Sequence, residues 1–376
     1  MVPRLSGCGR CTAAPARRTS RAPLEKDQLM TTGINVVRLQ DRPDLAEAWD
    51  EYVGSTVTGT PFHMRAWSRA LESCFPYRSH CCLALERGEV RGVLPLHLVR
   101  TFPLGQALIS LPWAACGGVC AADDPVHQAL VGHAASLARR LSVKYVEYRN
   151  QTAFGDLPVK DLYYTFRKEL YDDPEKNLAA IPRKQRRMVR QGDKHGLKAV
   201  VGREDLLDAF YGVYAHSVHN LGTPVFPKAW FASLLREYGS ACRILAVYRE
   251  QEVVAAVMTL FFRDQALPYY GGALKSSFQY AANDFMYWHL LCYAAAQGAR
   301  LFDFGRSKKD TGPFEFKRHW GFEPDPLPYQ YDLVTASAMP DFSPKNSSFS
   351  LPIMIWKELP LPVTRWLGPR IIHLFP

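Results

Sequence analysis

One order of secondary-structure elements runs through this chain twice, and the two passes keep a fixed offset. The hydrophobic pattern of the first pass predicts a strand over 34–39, helices over 43–53 and 62–75, and a hairpin of 81–86 and 90–99 turning at Arg87 and Gly88. A strand at 107–111, a Gly117-Gly118 turn, a helix over 125–141 and a strand at 144–149 complete it. The second pass gives a strand at 197–201, helices over 205–220 and 228–238, a hairpin of 243–248 and 253–262, a strand at 267–270, a helix over 284–297 and a strand at 301–304. The run Thr60-Pro61-Phe62-His63-Met64-Arg65-Ala66-Trp67 aligns with Thr223-Pro224-Val225-Phe226-Pro227-Lys228-Ala229-Trp230. Pro112 and Pro268 lie 156 residues apart, and so do Glu147 and Asp303. Chance rarely preserves such spacing, so the chain reads as two copies of one α/β unit facing each other across a cleft.

The second copy ends in the stretch 301–322, LFDFGRSKKDTGPFEFKRHWGF. Leu301, Phe302 and Phe304 are strand formers with a single acid, Asp303, among them, and Gly305 ends the strand. A polar loop with Arg306, Ser307, Lys308 and Lys309 follows. A short helix then places Phe316 and Trp320 on one face, and Gly321 stops it. An acid, an arginine and several lysines are thereby brought to one strand end, the place where α/β folds bind ligands.

A chain of 376 residues has room for two domains, and its apolar fraction of 47% supplies two cores. The expected division is an extension over 1–30, units over 31–172 and 173–335, and a tail over 336–376 that packs on the core. The extension is rich in Ala, Pro, Ser and Arg, and Met30 stands just before the first predicted strand, so it reads as foreign to the fold or as a transit segment. Cys8 and Cys11 lack a second pair at zinc spacing, and the eleven histidines show no ligand spacing, so no metal is expected. The other seven cysteines are odd in number and sit in mostly apolar surroundings, which describes reduced thiols and a cytoplasmic protein. No run of eighteen apolar residues is present to span a membrane.

The net charge of +10 resolves into two segments, residues 1–30 with six cations against two acids and residues 181–198 with seven against Asp193. Everything else balances. The second segment, IPRKQRRMVRQGDKHGLK, reads as a helix from Pro182 to Gly196. At 100° per residue Arg183, Arg186, Arg187, Arg190 and Lys194 share one face, while Ile181, Met188 and Gly192 lie opposite. Like charges on one stripe repel, so this face, with Lys184 beside it, is expected to grip phosphates rather than merely to be solvated.

The repeated order resembles that of the GNAT acyltransferase fold, and the whole chain resembles the FemAB group of tandem GNAT enzymes. The pieces that carry the likeness are Leu221-Gly222-Thr223-Pro224-Val225-Phe226, Tyr269-Tyr270-Gly271-Gly272, Asn283-Asp284-Phe285-Met286-Tyr287-Trp288 and the stretch 301–322. The likeness is greatest to the branch associated with exosortase/PEP-CTERM and exopolysaccharide systems. It implies two tandem GNAT-like domains, here without the coiled-coil arm of some members, and transfer of an aminoacyl or other acyl group to an amine on a cell-envelope, peptidoglycan or exopolysaccharide precursor. It also departs from an ordinary GNAT. The Q/R-x-x-G-x-G/A turn that cradles the CoA pyrophosphate is missing, since 273–282 reads ALKSSFQYAA. Aminoacyl-tRNA therefore fits better than acetyl-CoA as the acyl donor, and no bound cofactor is expected.

Acyl transfer needs charge stabilisation at the carbonyl and a proton route from the amine. Lys317 is the first candidate, because Phe316-Lys317 matches the family's F-K pair. Asp303 is expected either to take a proton or to orient Arg306, and Tyr270 either to donate a proton to the leaving hydroxyl or to pack. Asn283 would bind acceptor or cap the next helix, and His63 stands where it would reach the cleft or serve structure. Arg306, Ser307 and Lys308 complete the expected substrate site, with Arg183, Lys184, Arg187 and Arg190 gripping the carrier. The expected partners are an anionic acyl carrier, tRNA or CoA, and a nucleotide- or lipid-linked sugar precursor, with no DNA. The tail 351–376 mixes Trp, Ile, Leu and Pro with Lys357, Arg365 and Arg370, and reads as a packed helix broken by prolines or as a peripheral contact with the inner membrane. A CoA-dependent N-acyltransferase and a non-catalytic module that binds glycan precursor are the alternative functions.

Overall fold

The structure is a computed structural model that describes residues 33–102, 105–340 and 347–376. The extension over 1–30, with Met30 and the Cys8, Cys11 pair, lies outside the described residues. The first unit runs β1 (Ile34–Arg38), α1 (Ala46–Ser55), α2 (Arg65–Cys74), β2 (Arg78–Ser79), β3 (Cys82–Glu86), β4 (Glu89–Leu94), β5 (His97–Thr101), β6 (Gly105–Ser110), β7 (Cys120–Ala121), α3 (Asp124–Leu141), β8 (Tyr145–Arg149) and β9 (Val159–Glu169). Helices α4 (Pro174–Ala179) and α5 (Arg183–Lys194) lead to β10 (Leu197–Gly202), α6 (Leu207–Leu221), α7 (Lys228–Tyr238), β11 (Cys242–Arg249), β12 (Glu252–Phe262) and β13 (Gln265–Ala273). The chain goes on through α8 (Ala282–Ala296), β14 (Leu301–Asp303), β15 (Ser307–Lys308), α9 (Gly312–His319) and β16 (Glu323–Leu333), and ends in α10 (Ser347–Glu358) and α11 (Leu361–Ile371).

The two copies differ most in one hairpin arm. The predicted arm over 90–99 is two strands, because Pro95 follows Leu94 and can neither donate to a ladder nor let its predecessor continue freely. Strand β4 therefore stays in a small sheet ordered β1-β3-β4-β7, while β5 joins the large one. The equivalent β12 has no proline and runs unbroken from Glu252 to Phe262.

The large sheet is ordered β10-β11-β12-β13-β14-β9-β16-β8-β6-β5-β2. Its centre is an exchange: β9, which closes the first unit, pairs with β14 of the second, and β16, which closes the second, pairs with β8 of the first. Each unit lends its last strand to the other. The expected boundary at 172 thus divides the chain but not the sheet. Strand β16 tolerates Pro324 and Pro326 because this half pairs only with β9, whereas residues Tyr329–Leu333 carry the pairing to β8.

The cores of the two units meet through matched aromatics. Trp67 and Trp230, which the repeat aligns, are fully buried and pack edge to face with ring centroids 5.2 Å apart. The Ser73 and Ser233 hydroxyls hydrogen-bond at 2.9 Å across the same α2–α7 seam. The tail packs by α10 and α11 on α6, with Thr364 Oγ1 3.3 Å from His219 Nδ1. It then crosses to the first unit, where Tyr77 donates to the His373 carbonyl at 2.7 Å and Trp113 Nε1 to that of Phe375 at 2.9 Å.

Candidate active site

Strands β13 and β14 are parallel and pair only at Gln265 with Leu301 and Ala266 with Phe302. Beyond these residues their pairing stops, while β14 keeps its ladder with β9 from Leu301 to Asp303. The gap at their C-terminal ends opens into a cavity of about 730 Å³. Tyr269, Tyr270 and Gly271 of β13 form one wall and Phe304 to Lys308 the other. Tyr287 of α8 and Lys317 of α9 enter from one side, Trp113, Glu147, Arg149 and Tyr163 from the first unit, and Ile353 and Trp356 from the tail. The Gly-Gly pair after Tyr270 lets β13 lie against α6, since a Cβ on Gly272 would stand 2.3 Å from that of Ser217.

Lys317 is buried in this cavity although it is a lysine. Pro313 at the start of α9 and Phe314 turned inward fix a helix whose next inward position is Lys317. Its Nζ donates to the Gly305 carbonyl at 2.7 Å and stands over the rings of Phe166 and Phe304. Burial pulls its pKa down to about 7, with Asp303 opposing the shift and Arg306 adding to it. The amine is therefore poised between its two protonation states near neutrality.

Arg306 reaches the cavity with its charge unmatched, for among the described residues no carboxylate lies within ion-pair distance of it. Its guanidinium donates to the Tyr329 hydroxyl at 2.8 Å and lies over the Tyr163 ring. Among the described residues nothing hydrogen-bonds the buried Ser307 Oγ or the Nε1 of Trp356. Lys160 and Lys308 add to the lining, in which Glu147 is the one acidic side chain among the described residues. Glu147 is itself held by Arg149 Nε at 2.7 Å.

Tyr270 lines the cavity and its hydroxyl accepts from Trp230 Nε1 at 3.2 Å. Burial raises its pKa well above 10, so the phenol serves as a hydrogen-bond donor more readily than as an acid.

Several expectations meet a different geometry. Asp303 does not orient Arg306: its oxygens accept from Thr165 Oγ1 at 2.5 Å, the Gly305 N–H at 2.8 Å and Arg167 Nε at 2.9 Å. It lines a separate, smaller cavity of about 140 Å³ with Arg167 and Cys116, and Gly305 stands in the walls of both. A carboxylate so fully bonded is a clamp between β14 and β9. Asn283 lies in the first turn of α8, is not its cap, which is Ala281, and does not line the cavity. His63 is buried with Nδ1 2.8 Å from Thr60 Oγ1 and Nε2 3.1 Å from the Gly118 carbonyl, a structural role.

The basic helix forms, but its packed face is Gln185, Val189 and Gly192 rather than Ile181, Met188 and Gly192, since Ile181 precedes the helix and Met188 is half-buried; Arg183, Lys184, Arg187 and Arg190 are exposed. Gly192 is needed there, since a Cβ would meet the Phe285 ring at 2.6 Å. None of the four cations lines the cavity. The fold thus gathers Lys317, Tyr270, Arg306, Ser307 and Lys308, and leaves Asp303, Asn283 and the α5 cations outside. Sequence reasoning missed Glu147 and Arg149 as cavity residues: the 156-residue offset pairs Glu147 with Asp303, which itself lies outside the cavity.

No metal-binding group of histidine, cysteine or acid side chains occurs among the described residues, and no helix among them is long and apolar enough to cross a membrane.

A sequence profile of the acetyltransferase (GNAT) domain matches residues 180–318. Among solved structures, the chain is similar to FemX at 13% identity and a TM-score of 0.60, covering 77% of this chain and 96% of that one. It is similar also to the C-terminal domain of a protein described as a lysylphosphatidylglycerol synthetase from Agrobacterium fabrum, at 12% identity and a TM-score of 0.53 over 78% and 92% of the two chains. No curated protein sequence matches. The chain therefore has the fold of two tandem GNAT-like α/β units, and the match to the GNAT profile falls on the second of them.

Proposed function

We propose that this protein transfers an acyl group from a phosphate-bearing carrier to an amine inside the central cavity. The observation that carries the reading is Lys317, a buried amine titrating near 7 at the splay of β13 and β14, in a lining dominated by cations. The acceptor nitrogen bonds to the donor carbonyl carbon and the carrier oxygen or sulfur departs. Neutral Lys317 takes the proton released by the nitrogen and returns it to the leaving atom. Arg306 and the Ser307 hydroxyl stand ready for the anionic oxygens of donor or acceptor.

Aminoacyl-tRNA is the favoured carrier. Residues Lys275–Tyr280 form a 3-10 helix without the glycine turn that wraps a CoA pyrophosphate, and the α5 cations offer an outer platform for a long polyanion. The GNAT profile match favours the second reading, a CoA thioester as donor. A precursor of the cell envelope or of an exopolysaccharide is the proposed acceptor, as the likeness to the FemAB group and its exosortase/PEP-CTERM branch implies, and the cytoplasm, where both carriers occur, is the proposed location. The test supplies labelled aminoacyl-tRNA or labelled acetyl-CoA with total envelope precursors and follows label into amide. Transfer from tRNA supports the first reading and transfer from acetyl-CoA the second. Precursor binding without transfer from either donor refutes both in favour of a non-catalytic binding module.

A further inference from the structure

The outer faces of α10 and α11 carry a concentration of exposed apolar side chains. Met354 is 58% exposed, Ile355 53%, Val363 41% and Trp366 61%, whereas the other large exposed apolar residues are mostly scattered. Leu221 is the exception, 59% exposed, adjoining Gly222, whose own neighbours are Ile353 and Lys357 of α10. The two helices are not loosely attached. Trp356, Thr364 and Gly368 are buried, and a Cβ on Gly368 would stand 2.7 Å from the Val225 nitrogen.

The charges on these helices match the apolar face. Lys357, Arg365 and Arg370 are exposed against one acid, Glu358, and the Arg370 guanidinium lies 4.2 Å over the Trp366 ring. Val363, Trp366 and Arg370 follow one another at helical spacing on one stripe. A tryptophan flanked by arginines on a short amphipathic helix suits the boundary between lipid headgroups and acyl chains. The same segment forms part of the cavity wall, since Leu221, Pro352, Ile353 and Trp356 line it.

We infer that α10 and α11 seat the protein on an anionic bilayer, with the apolar rim formed by Leu221 and Ile353 turned to the lipid. A substrate with a lipid tail would then enter the cavity from the membrane, headgroup toward Arg306. This last step rests on the acyl-transfer reading; the seating does not.

The test is sedimentation of the full chain with phosphatidylcholine vesicles, with and without phosphatidylglycerol, beside the variants Ile355→Asp and Trp366→Asp, neither of which lines the cavity. The wild type should partition onto anionic vesicles about tenfold or more above neutral ones, and less at high salt. The variants should lose this while melting as the wild type does and keeping transfer to a water-soluble amine. No partition by the wild type, or equal partition by both variants, overturns the inference. So does concentration-dependent self-association that the variants abolish, which would make the face a contact between two copies. Vesicle binding is read without any transfer reaction, so a chain that binds vesicles and transfers nothing refutes the proposed function and leaves the seating intact.

Discussion

Replacing Lys317 by Met keeps the length and apolar stem of the side chain and removes only the amine. General acid–base groups contribute about 10²- to 10⁴-fold to rate, so turnover should fall by that factor, about 3–5 kcal/mol in the barrier. The fold should survive, because the lost bond is to the Gly305 carbonyl and costs about 1–3 kcal/mol, partly offset by no longer burying an amine. The pH dependence separates this account from simple damage. In the folded protein the amine titrates near 7 instead of at the ordinary 10.5, so between these values the unfolded chain binds the extra proton. Wild-type stability should therefore rise as pH goes from about 7 to about 10, on the order of a few kcal/mol, and the Met variant should lack this rise. In assays with a water-soluble amine, wild-type kcat/KM should climb through an inflection near pH 7 that the variant has lost. A variant with more than about a tenth of wild-type turnover, or an unchanged stability profile, would refute the assignment.

Arg306→Gln should weaken binding of an anionic donor by about 10- to 100-fold, read by titration calorimetry, because its guanidinium enters the cavity with a phenol rather than a carboxylate as its nearest partner. The double reversal Arg187→Glu, Arg190→Glu should lower affinity for tRNA and flatten its salt dependence, while turnover with a small donor stays unchanged, since both side chains lie outside the cavity. Trp230→Ala should cost about 3–5 kcal/mol in denaturant unfolding and lower activity as well, because the ring is fully buried between the units and its Nε1 holds the Tyr270 hydroxyl.

Much of the second unit can be read directly from the amino acids, because its strands are continuous apolar runs and its helix α7 has one clear inward stripe, bounded where the pattern places it. The first unit is harder. Pro95 divides a strand whose apolar pattern shows no interruption, and β2 has two residues, too few for any periodicity. Strand β9 escapes detection because Lys160, Arg167 and Lys168 break its alternation, and its stability comes from neighbours on both sides supplied by the other unit. The same long-range pairing explains the site. Lys317, Arg306 and Tyr270 belong to one local stretch or its near neighbours in sequence, whereas Arg167, which takes up Asp303, lies 136 residues away on a strand hidden from pattern analysis. Helix α5 shows the limit most plainly: its charged face is evident in the letters, but only packing on α8 shows that its cations stay out of the cavity.

The traded strands β9 and β16 also decide how the molecule can be taken apart. Cut between the two units, either fragment would keep a strand whose ladder partners had left with the other half, exposing a long row of unpaired peptide groups. Separately expressed halves should therefore aggregate or wait for one another, and the central cavity should come into being only in the joined molecule.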